Sequence, residues 1–169
     1  NVIGSQGNDE IIGSSQKNAL LGGDGDDTIE GGSGGDQLDG GLGRNTLSYA
    51  TSGDGVSVKL RTSSVSGGDA SGDRIAGFAD VTGSAFSDDI AGDRVGNLLN
   101  GGAGDDILNG GKGADVLDGG DGADRLIGGA GHDALTGGEG VDIFVLENSA
   151  AGSDVVADFL SREDRFELS

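Results

Sequence analysis

A strict nine-residue period runs through two stretches of the chain. Residues 4–48 divide into five units of nine and residues 83–145 into seven. Position 1 of the unit is glycine in all twelve units, position 8 is apolar in all twelve, and position 6 is aspartate in nine and asparagine in three. A fixed period of this kind predicts a solenoid, in which stacked neighbours bury the apolar side chain that a single unit cannot bury alone.

The apolar residue at position 8 lies in a three-residue segment that is long enough for a short strand, and the six residues before it have the composition of a turn. Two units therefore make one coil, and successive coils stack about 4.8 Å apart. Each position-8 side chain then points inward over its counterpart eighteen residues on. We predict an all-β fold, a parallel β-roll or β-helix-like solenoid, with an inward ladder of Ile11, Leu20, Ile29, Leu38, Leu47, Ile90, Leu99, Leu108, Leu117, Leu126, Leu135 and Phe144.

The composition agrees with a thin core of this kind. Only 33% of the 169 residues are hydrophobic and 4% are aromatic, which is too few for a large conventional core. Glycine accounts for 38 residues and proline for none. The turns must therefore be built from positive backbone φ angles rather than from the fixed φ of proline.

The charge restricts the classes of partner. Ten basic and thirty acidic residues give a net charge of −20, which repels nucleic acid and anionic membranes and attracts cations. A polyanion with few aromatic residues is typical of disorder, and this is the state we expect for the chain without a counter-ion. The chain has no cysteine, so disulfides and thiolate sites are excluded, and no apolar run reaches the roughly 20 residues of a transmembrane segment.

The repeated turn contains the donor atoms of a hard cation. Glycines at positions 1, 2 and 4 let the turn fold back with carbonyl groups directed inward, and the position-6 side chain adds oxygen atoms to the same concavity. Carboxylates and carbonyls without imidazole or thiolate suit Ca²⁺ better than Mg²⁺ or zinc. We predict several bound Ca²⁺ ions, with ligands from Asp9, Asn18, Asp27, Asp36, Asn45, Asp88, Asn97, Asp106, Asp115, Asp124, Asp133 and Asp142.

Because units alternate between the two sides of the roll, the ligand pairs are eighteen residues apart. The strongest predicted pairs are aspartates of the second block, Asp106 with Asp124, Asp124 with Asp142, and Asp115 with Asp133. In the first block the rule gives Asp9 with Asp27, Asp27 with Asn45, and Asn18 with Asp36, and the pairs that contain an amide should bind more weakly. Three units lack the position-4 glycine, which counts against sites at Asn18, at Asp88 with Asp106, and at Asn97 with Asp115; the replacing residues are Gln16, Phe86 and Val95.

These units resemble the GGxGxDxUx nonapeptide of the RTX, or haemolysin-type calcium-binding, family, and the resemblance covers 108 residues. It implies Ca²⁺ held between turns of adjacent coils, export by a type I secretion machinery, and a secreted, extracellular or cell-surface location. It also implies that low cytosolic Ca²⁺ keeps the chain unfolded for export and that Ca²⁺ outside the cell folds it. The segment 146–169 resembles the closing strands of RTX proteins, on the residues Asp154, Asp158, Phe159, Asp164, Leu168 and Ser169, and we expect it to cap the roll.

Residues 49–82 lack the glycine pattern, but the period of nine can be continued into them. From Leu47 it reaches Val56 and Val65, and backwards from Ile90 it reaches Val81, while Ser63 and Ala79 stand where aspartate is expected. Asp73-Arg74-Ile75 resumes the pattern after one register slip. We therefore divide the chain into a first repeat block at 1–48, a degenerate insert that continues the roll at 49–82, a second block at 83–145 and a cap at 146–169.

Apparent catalytic motifs are better explained by the repeat. Gly31-Gly32-Ser33-Gly34-Gly35 matches a nucleophile elbow in letters, but Ser33 is position 3 of a repeat turn and His132, the one histidine, fills the variable position 5. Acidic pairs such as Asp26-Asp27 recur with the period, and no HExxH motif is present. We expect a module that is not itself an enzyme.

Two alternatives for the parent protein stay open. The chain could be the carboxy-terminal module of a secreted enzyme, such as a protease, lipase or alginate epimerase, or a repeat region of a surface or adhesion protein. The absence of methionine and of a signal-peptide pattern at the amino end predicts a fragment, with a catalytic or adhesive domain possible before Asn1.

Overall fold

A computed structural model describes residues 1–146, 152–160 and 162–168. The described residues form strands and two short 3-10 helices, Leu60–Thr62 and Gly68–Ala70, and none of them lies in an α-helix. The strands up to the end of the insert are β1 Val2–Ile3, β2 Glu10–Ile12, β3 Ala19–Asp24, β4 Thr28–Glu30, β5 Gln37–Leu42, β6 Thr46–Ser48, β7 Ser57–Lys59, β8 Ser64–Ser66, β9 Arg74–Ala76 and β10 Asp80–Thr82. They are followed by β11 Asp89–Ala91, β12 Leu98–Ala103, β13 Ile107–Lys112, β14 Val116–Asp121, β15 Arg125–Ala130, β16 Ala134–Glu139, β17 Ile143–Leu146, β18 Val155–Val156 and β19 Arg165–Leu168.

The strands form a parallel β-solenoid, as the period predicts. One side of the roll is a continuous eight-stranded sheet in the order β18-β16-β14-β12-β10-β6-β4-β2. The other side consists of a four-stranded sheet, β1-β3-β5-β9, and a seven-stranded sheet, β19-β17-β15-β13-β11-β7-β8. Within each block, paired residues are eighteen apart, as in Leu99↔Leu117 and Leu20↔Leu38. No helix among the described residues is long and apolar enough to cross a membrane.

Seven strands are longer than the three residues expected from the sequence. They run for six residues, from position 7 of one unit to position 3 of the next, and their glycines pair as well, for example Gly102 with Gly120. A Cβ atom at Gly120, where φ is +103°, would collide with the carbonyl oxygen of Gly102. Glycine is therefore required here both for the backbone conformation and for the close approach of two coils.

The core is the predicted ladder of position-8 side chains. All twelve are buried, and from Ile90 to Phe144 each is 0% exposed. Burial of one such side chain stabilises the fold by about 2 kcal/mol, so the ladder is the main apolar contribution to stability. Position-7 residues such as Val116 face outward and are half-exposed.

The insert joins the two blocks through the eight-stranded sheet. Val81 of β10 pairs with Leu47 on one side and with Leu99 on the other, and Ile75 of β9 pairs with Leu38. Residues 48–80 therefore occupy a single coil, longer than the regular coil of eighteen residues.

The expected ladder in the insert is right in part. Val56 is buried in the core at 3% exposure, as the period predicts, but Val58 is the residue of the insert that pairs with Ile90. Val65 folds back to pair with Val58 in the antiparallel strands β7 and β8, so it does not continue the parallel ladder. The hairpin has Ser63 at φ 49° in its tight connection, so Ser63 does not occupy a repeat turn. Val56 and Val58 are two residues apart, so both side chains lie on the same face of the chain and both are buried. The strand pairing places Val58, not Val56, in register with Ile90.

The described part of the cap continues both sides of the roll. Strand β18 pairs with β16, and β19 pairs with β17. The ring of Phe159 stacks on that of Phe166 at 4.3 Å between centroids, and both rings contact the last ladder residue, Phe144. Ser169, which belongs to the expected cap pattern, lies outside the described residues.

Candidate metal centre

The position-6 side chains line two columns of stacked turns. In each regular turn, one oxygen of the position-6 side chain accepts a hydrogen bond from the backbone N–H of the position-6 residue eighteen earlier. Asp106 Oδ1 accepts from Asp88 at 2.7 Å, Asp124 from Asp106 at 2.8 Å, and Asp142 from Asp124 at 3.0 Å. In the other column Asp133 Oδ1 accepts from Asp115 at 2.9 Å. The structure thus brings together the pairs that the eighteen-residue spacing predicts.

The second oxygen of these carboxylates is buried without a partner. The Oδ2 atoms in question have no hydrogen-bond donor among the described residues and belong to Asp27, Asp36, Asp106, Asp115, Asp124 and Asp133. Each of the six carboxylates lies in a unit with glycine at positions 1, 2 and 4, and each residue is at most 2% exposed. An unpartnered buried polar oxygen costs about 1–3 kcal/mol, and more when it is charged. Six such atoms in one repeated position indicate a missing positive partner.

Backbone carbonyl oxygens converge on the same space. A Cβ atom at Gly101 would collide with Asp106 Oδ2 and also with the carbonyl oxygen of Gly119, one coil further on. The same holds at Gly119, where the two atoms are Asp124 Oδ2 and the carbonyl oxygen of Gly137. The position-1 glycine therefore leaves a cradle in which carboxylate and carbonyl oxygens meet.

The electrostatics of the turns disfavour charged carboxylates in the absence of a cation. Burial, followed by repulsion from neighbouring carboxylates, raises the pKa of Asp106 to about 7. The same two causes raise the pKa of Asp115 to about 6 and that of Asp124 to about 6. The backbone N–H groups that donate to these two carboxylates act in the opposite direction and lower the pKa. Burial also raises the pKa values of Asp36, Asp133 and Asp142.

The donor set fits calcium. In the part of the chain that the structure describes, no three acidic or histidine side chains converge on one point, so a site made of side chains alone is not present there. The turns instead combine one or two carboxylates with backbone carbonyls, and Ca²⁺ accepts 6 to 8 such oxygens in flexible geometry. A zinc site would require imidazole or thiolate donors.

Five of the predicted ligands have their side-chain oxygens or amides bonded to the protein. Asp9, Asn18, Asp88 and Asn97 each accept a hydrogen bond from the backbone N–H of the residue four earlier. The amide of Asn45 donates to the carbonyl oxygen of Gly77 at 3.0 Å. These residues occupy the predicted positions in the turns. Their side chains have hydrogen-bond partners within the protein, which the six Oδ2 atoms do not have among the described residues.

Three aspartates outside the regular units take the place of a position-6 residue. Asp73 Oδ1 accepts from the N–H of Asp36 at 2.6 Å, although 37 residues separate them. Asp154 and Asp164 of the cap accept in the same way from Asp133 and Asp142, at 3.2 Å and 3.0 Å. All three begin a D-x-apolar triplet, which is the signal that could have identified them as site residues without the flanking glycines.

The two residues of the apparent catalytic motifs lie in separate turns. Ser33 lies between β4 and β5, and His132 lies between β15 and β16. The His132 ring accepts a hydrogen bond from the N–H of Ser153 at 3.1 Å, which ties the cap to the roll.

A parallel β-solenoid with buried oxygen atoms in its glycine-rich turns has the fold and the donor atoms of the class of calcium-binding repeat proteins. A profile of the RTX calcium-binding nonapeptide repeat matches the chain in four copies, over residues 1–24, 12–47, 82–117 and 110–144, which is more than half of its length. The chain belongs to this family of haemolysin-type calcium-binding repeats, and calcium binding is the property that the family implies for it. A search among curated proteins found no match.

Proposed function

We propose that the chain is a calcium-dependent folding module of a secreted protein, in which stacked turns hold Ca²⁺ and thereby complete the roll. The observation that supports this most strongly is the set of six buried carboxylate oxygens that have no hydrogen-bond donor in the part of the chain that the structure describes. RTX repeats are typical of secreted proteins, which supports export by a type I secretion machinery and a location outside the cell or on its surface.

The proposed ligands lie in two columns. The second block supplies Asp106, Asp124 and Asp142 in one column and Asp115 and Asp133 in the other. The first block supplies Asp27 and Asp36. Bound Ca²⁺ supplies the positive charge that balances these carboxylates. The protein contributes the spacing, because the strand pairing fixes the distance between one turn and the next.

Calcium also explains the combination of extreme charge and small core. Thirty acidic residues on a thin apolar ladder repel one another, and glycine-rich turns lose much conformational entropy on folding. Coupling metal binding to folding offsets both costs, since a site that exists only in the folded state contributes its binding free energy to stability. In this proposal the chain catalyses no reaction, and its surface and stability are what it provides to the parent protein.

Flow dialysis with radioactive Ca²⁺ on the full chain at neutral pH tests the proposal. We expect saturable binding of several ions with half-saturation at about 0.1–1 mM, the range of extracellular calcium modules. A tenfold excess of Mg²⁺ over Ca²⁺ should displace little of it, because Mg²⁺ requires a stricter octahedral geometry and releases water reluctantly. An absence of saturable binding, or equal competition by Mg²⁺, would contradict the proposal.

A further inference from the structure

The twelve repeat turns fall into two groups according to the residue at position 2. In eight units this residue is glycine, and its φ is positive in all eight, from +75° to +117°; they are Gly23, Gly32, Gly41, Gly102, Gly111, Gly120, Gly129 and Gly138. In the other four it is Ser5, Ser14, Ser84 or Asp93, none of which has a positive φ. These four residues lie in the first two units of each block.

The four non-glycine residues close their own turns. The backbone N–H of Ser84 donates to Asp88 Oδ2 at 2.6 Å, and that of Asp93 donates to Asn97 Oδ1 at 2.8 Å. In the first block, Ser5 donates to Asp9 at 2.5 Å and Ser14 to Asn18 at 2.7 Å. The position-2 glycines make no such bond in the described structure.

The side chain at position 2 completes the closure. Ser84 Oγ accepts the N–H of Phe86 at 3.1 Å, and Asp93 Oδ1 accepts that of Val95 at 3.0 Å, so each forms a side-chain turn across position 4. The corresponding bond joins Gly7 to Ser5 Oγ and Gln16 to Ser14 Oγ, so this turn accepts either glycine or a side chain at position 4. In these turns a local hydrogen bond fixes the backbone conformation. In the other turns the positive φ angle of a glycine does so.

As a result, the carboxylate oxygen that is unpartnered in six of the eight glycine turns has a counterpart in these four turns that accepts a hydrogen bond. Asp88 is the clearest case, because Oδ2 accepts from Ser84 N–H while Oδ1 accepts from Val56 N–H at 2.6 Å and from Ser84 Oγ at 2.9 Å. Asp88 is as deeply buried as Asp106, at 3% and 1% exposure, yet only Asp106 leaves an oxygen without a donor. Burial is thus equal, while the unit of Asp88 has Ser84 at position 2 and Phe86 at position 4, where the unit of Asp106 has glycine. Of these two residues, Ser84 is the one that donates to the carboxylate.

We infer that the first two turns of each block are closed by hydrogen bonds and hold no calcium through their position-6 side chains, so that position 2 decides between a hydrogen-bonded and a metal-binding turn. The inference rests on the proposed function and restricts its ligand set, removing Asp9, Asn18, Asp88 and Asn97. Each run of metal-binding turns then begins on a coil whose closure requires no cation.

Sterics explain why the hydrogen-bonded turns do not occur further along a block. A Cβ atom at Gly102 would collide with the carbonyl oxygen of Ser84, and one at Gly120 would collide with that of Gly102. A repeat turn beneath, whether hydrogen-bonded as at Ser84 or glycine-based as at Gly102, therefore excludes a side chain at position 2. The units of Ser84 and Asp93 instead contact the irregular coil of the insert, through Val56 and through Ala79 and Asp80.

A matched pair of isosteric substitutions tests the inference by counting bound ions with flow dialysis. Asp106→Asn and Asp88→Asn both remove one buried carboxylate from the same column. In D106N the amide oxygen still accepts from the N–H of Asp88, and in D88N it keeps one of the two acceptors that serve the N–H groups of Val56 and Ser84. Asn18 and Asn97 already occupy the hydrogen-bonded kind of turn, so the fold accepts the amide there. We expect D106N to lose about one ion or bind calcium at least about tenfold more weakly, the scale on which ligand charge tunes calcium sites. D88N should bind as the unchanged chain does.

A second pair of variants adds a carboxylate instead of removing one, so the inference can still be tested if D106N or D88N fails to fold. Asn45→Asp restores a carboxylate in a turn with three glycines, whereas Asn18→Asp adds one beside Ser14. We expect N45D to gain an ion or calcium affinity and N18D to gain neither. Equal losses in D88N and D106N, or gains in N18D that match or exceed those in N45D, would overturn the inference. If the unchanged chain itself binds no calcium, the proposed function fails instead, which is a different result.

Discussion

At the scale of single residues, six of the glycine turns contain a carboxylate oxygen that is buried without a hydrogen-bond donor among the described residues. Asp124 Oδ1 holds the N–H of Asp106, and Oδ2 is buried with no donor. Asp9, in contrast, is partly exposed and both its oxygens are bonded by Ser5. Two aspartates at the same position of the repeat thus have different environments.

The difference predicts unequal effects of truncation. Asp124→Ala should raise the calcium concentration at the folding midpoint by at least about tenfold, because it removes a ligand shared by two neighbouring turns. Asp9→Ala should shift the midpoint much less. Calcium titrations followed by circular dichroism measure both, and equal midpoints would mean that the eighteen-residue pairing does not describe the sites.

The raised pKa values predict how the metal-free chain responds to pH. Between about pH 4 and pH 7 the folded state keeps protons on Asp106, Asp115 and Asp124 that the unfolded state has already released, since their folded-state pKa values are about 7, 6 and 6. The free energy of unfolding must therefore fall as the pH rises through this range. Chelator-treated protein should show more β structure near pH 4.5 than at pH 7.5. A β signal that grows with pH in the absence of metal would contradict this.

At the scale of elements, strand β10 is the connection between the two blocks. Val81 is 1% exposed and lies in the ladder between Leu47 and Leu99. The eight-stranded sheet is continuous across this strand, so loosening it should affect coils on both sides.

Val81→Ala tests this connection. We expect a loss of about 2 kcal/mol in the free energy of unfolding in saturating calcium, from the buried methyl groups that are removed. Val116→Ala is the control, because Val116 is also in a strand but faces outward and is 46% exposed. Amide exchange should accelerate in both β6 and β12 of the Val81 variant. Acceleration in one block alone would indicate two rolls that fold independently.

The sequence predicted the parts of the fold that follow the period. Position 8 supplied every ladder residue of the two blocks, because a period of nine leaves one inward position per short strand. It failed in part in the insert, where Val56 is buried but the pairing with Ile90 falls on Val58, because a hairpin interrupts the period there. The hydrogen-bonded turns were also missed. The sequence pattern indicated Phe86 and Val95 at position 4 as the exceptions, whereas the residue whose hydrogen bonds close the turn is at position 2. Whether position 2 can carry a side chain depends on the coil beneath it, which the sequence pattern does not describe.

At the scale of the whole molecule, the chain combines a net charge of −20 with a thin apolar core made of stacked ladder residues. The ladder and the strand pairing favour the roll, and the stacked carboxylates together with glycine entropy oppose it. In the proposed function, cations bound between the turns would change this balance all along the roll, because every coil contacts its neighbours. Folding of the whole chain should therefore depend on calcium.

Far-UV circular dichroism of the full chain at pH 7.5, with excess EGTA and then with millimolar Ca²⁺, tests that dependence most directly. We predict a coil-like spectrum in EGTA and a β spectrum in Ca²⁺, reversible on renewed chelation, with Mg²⁺ at the same concentration unable to replace Ca²⁺. A β spectrum that is the same in EGTA and in Ca²⁺ would show that the roll folds without metal and would contradict calcium-driven folding.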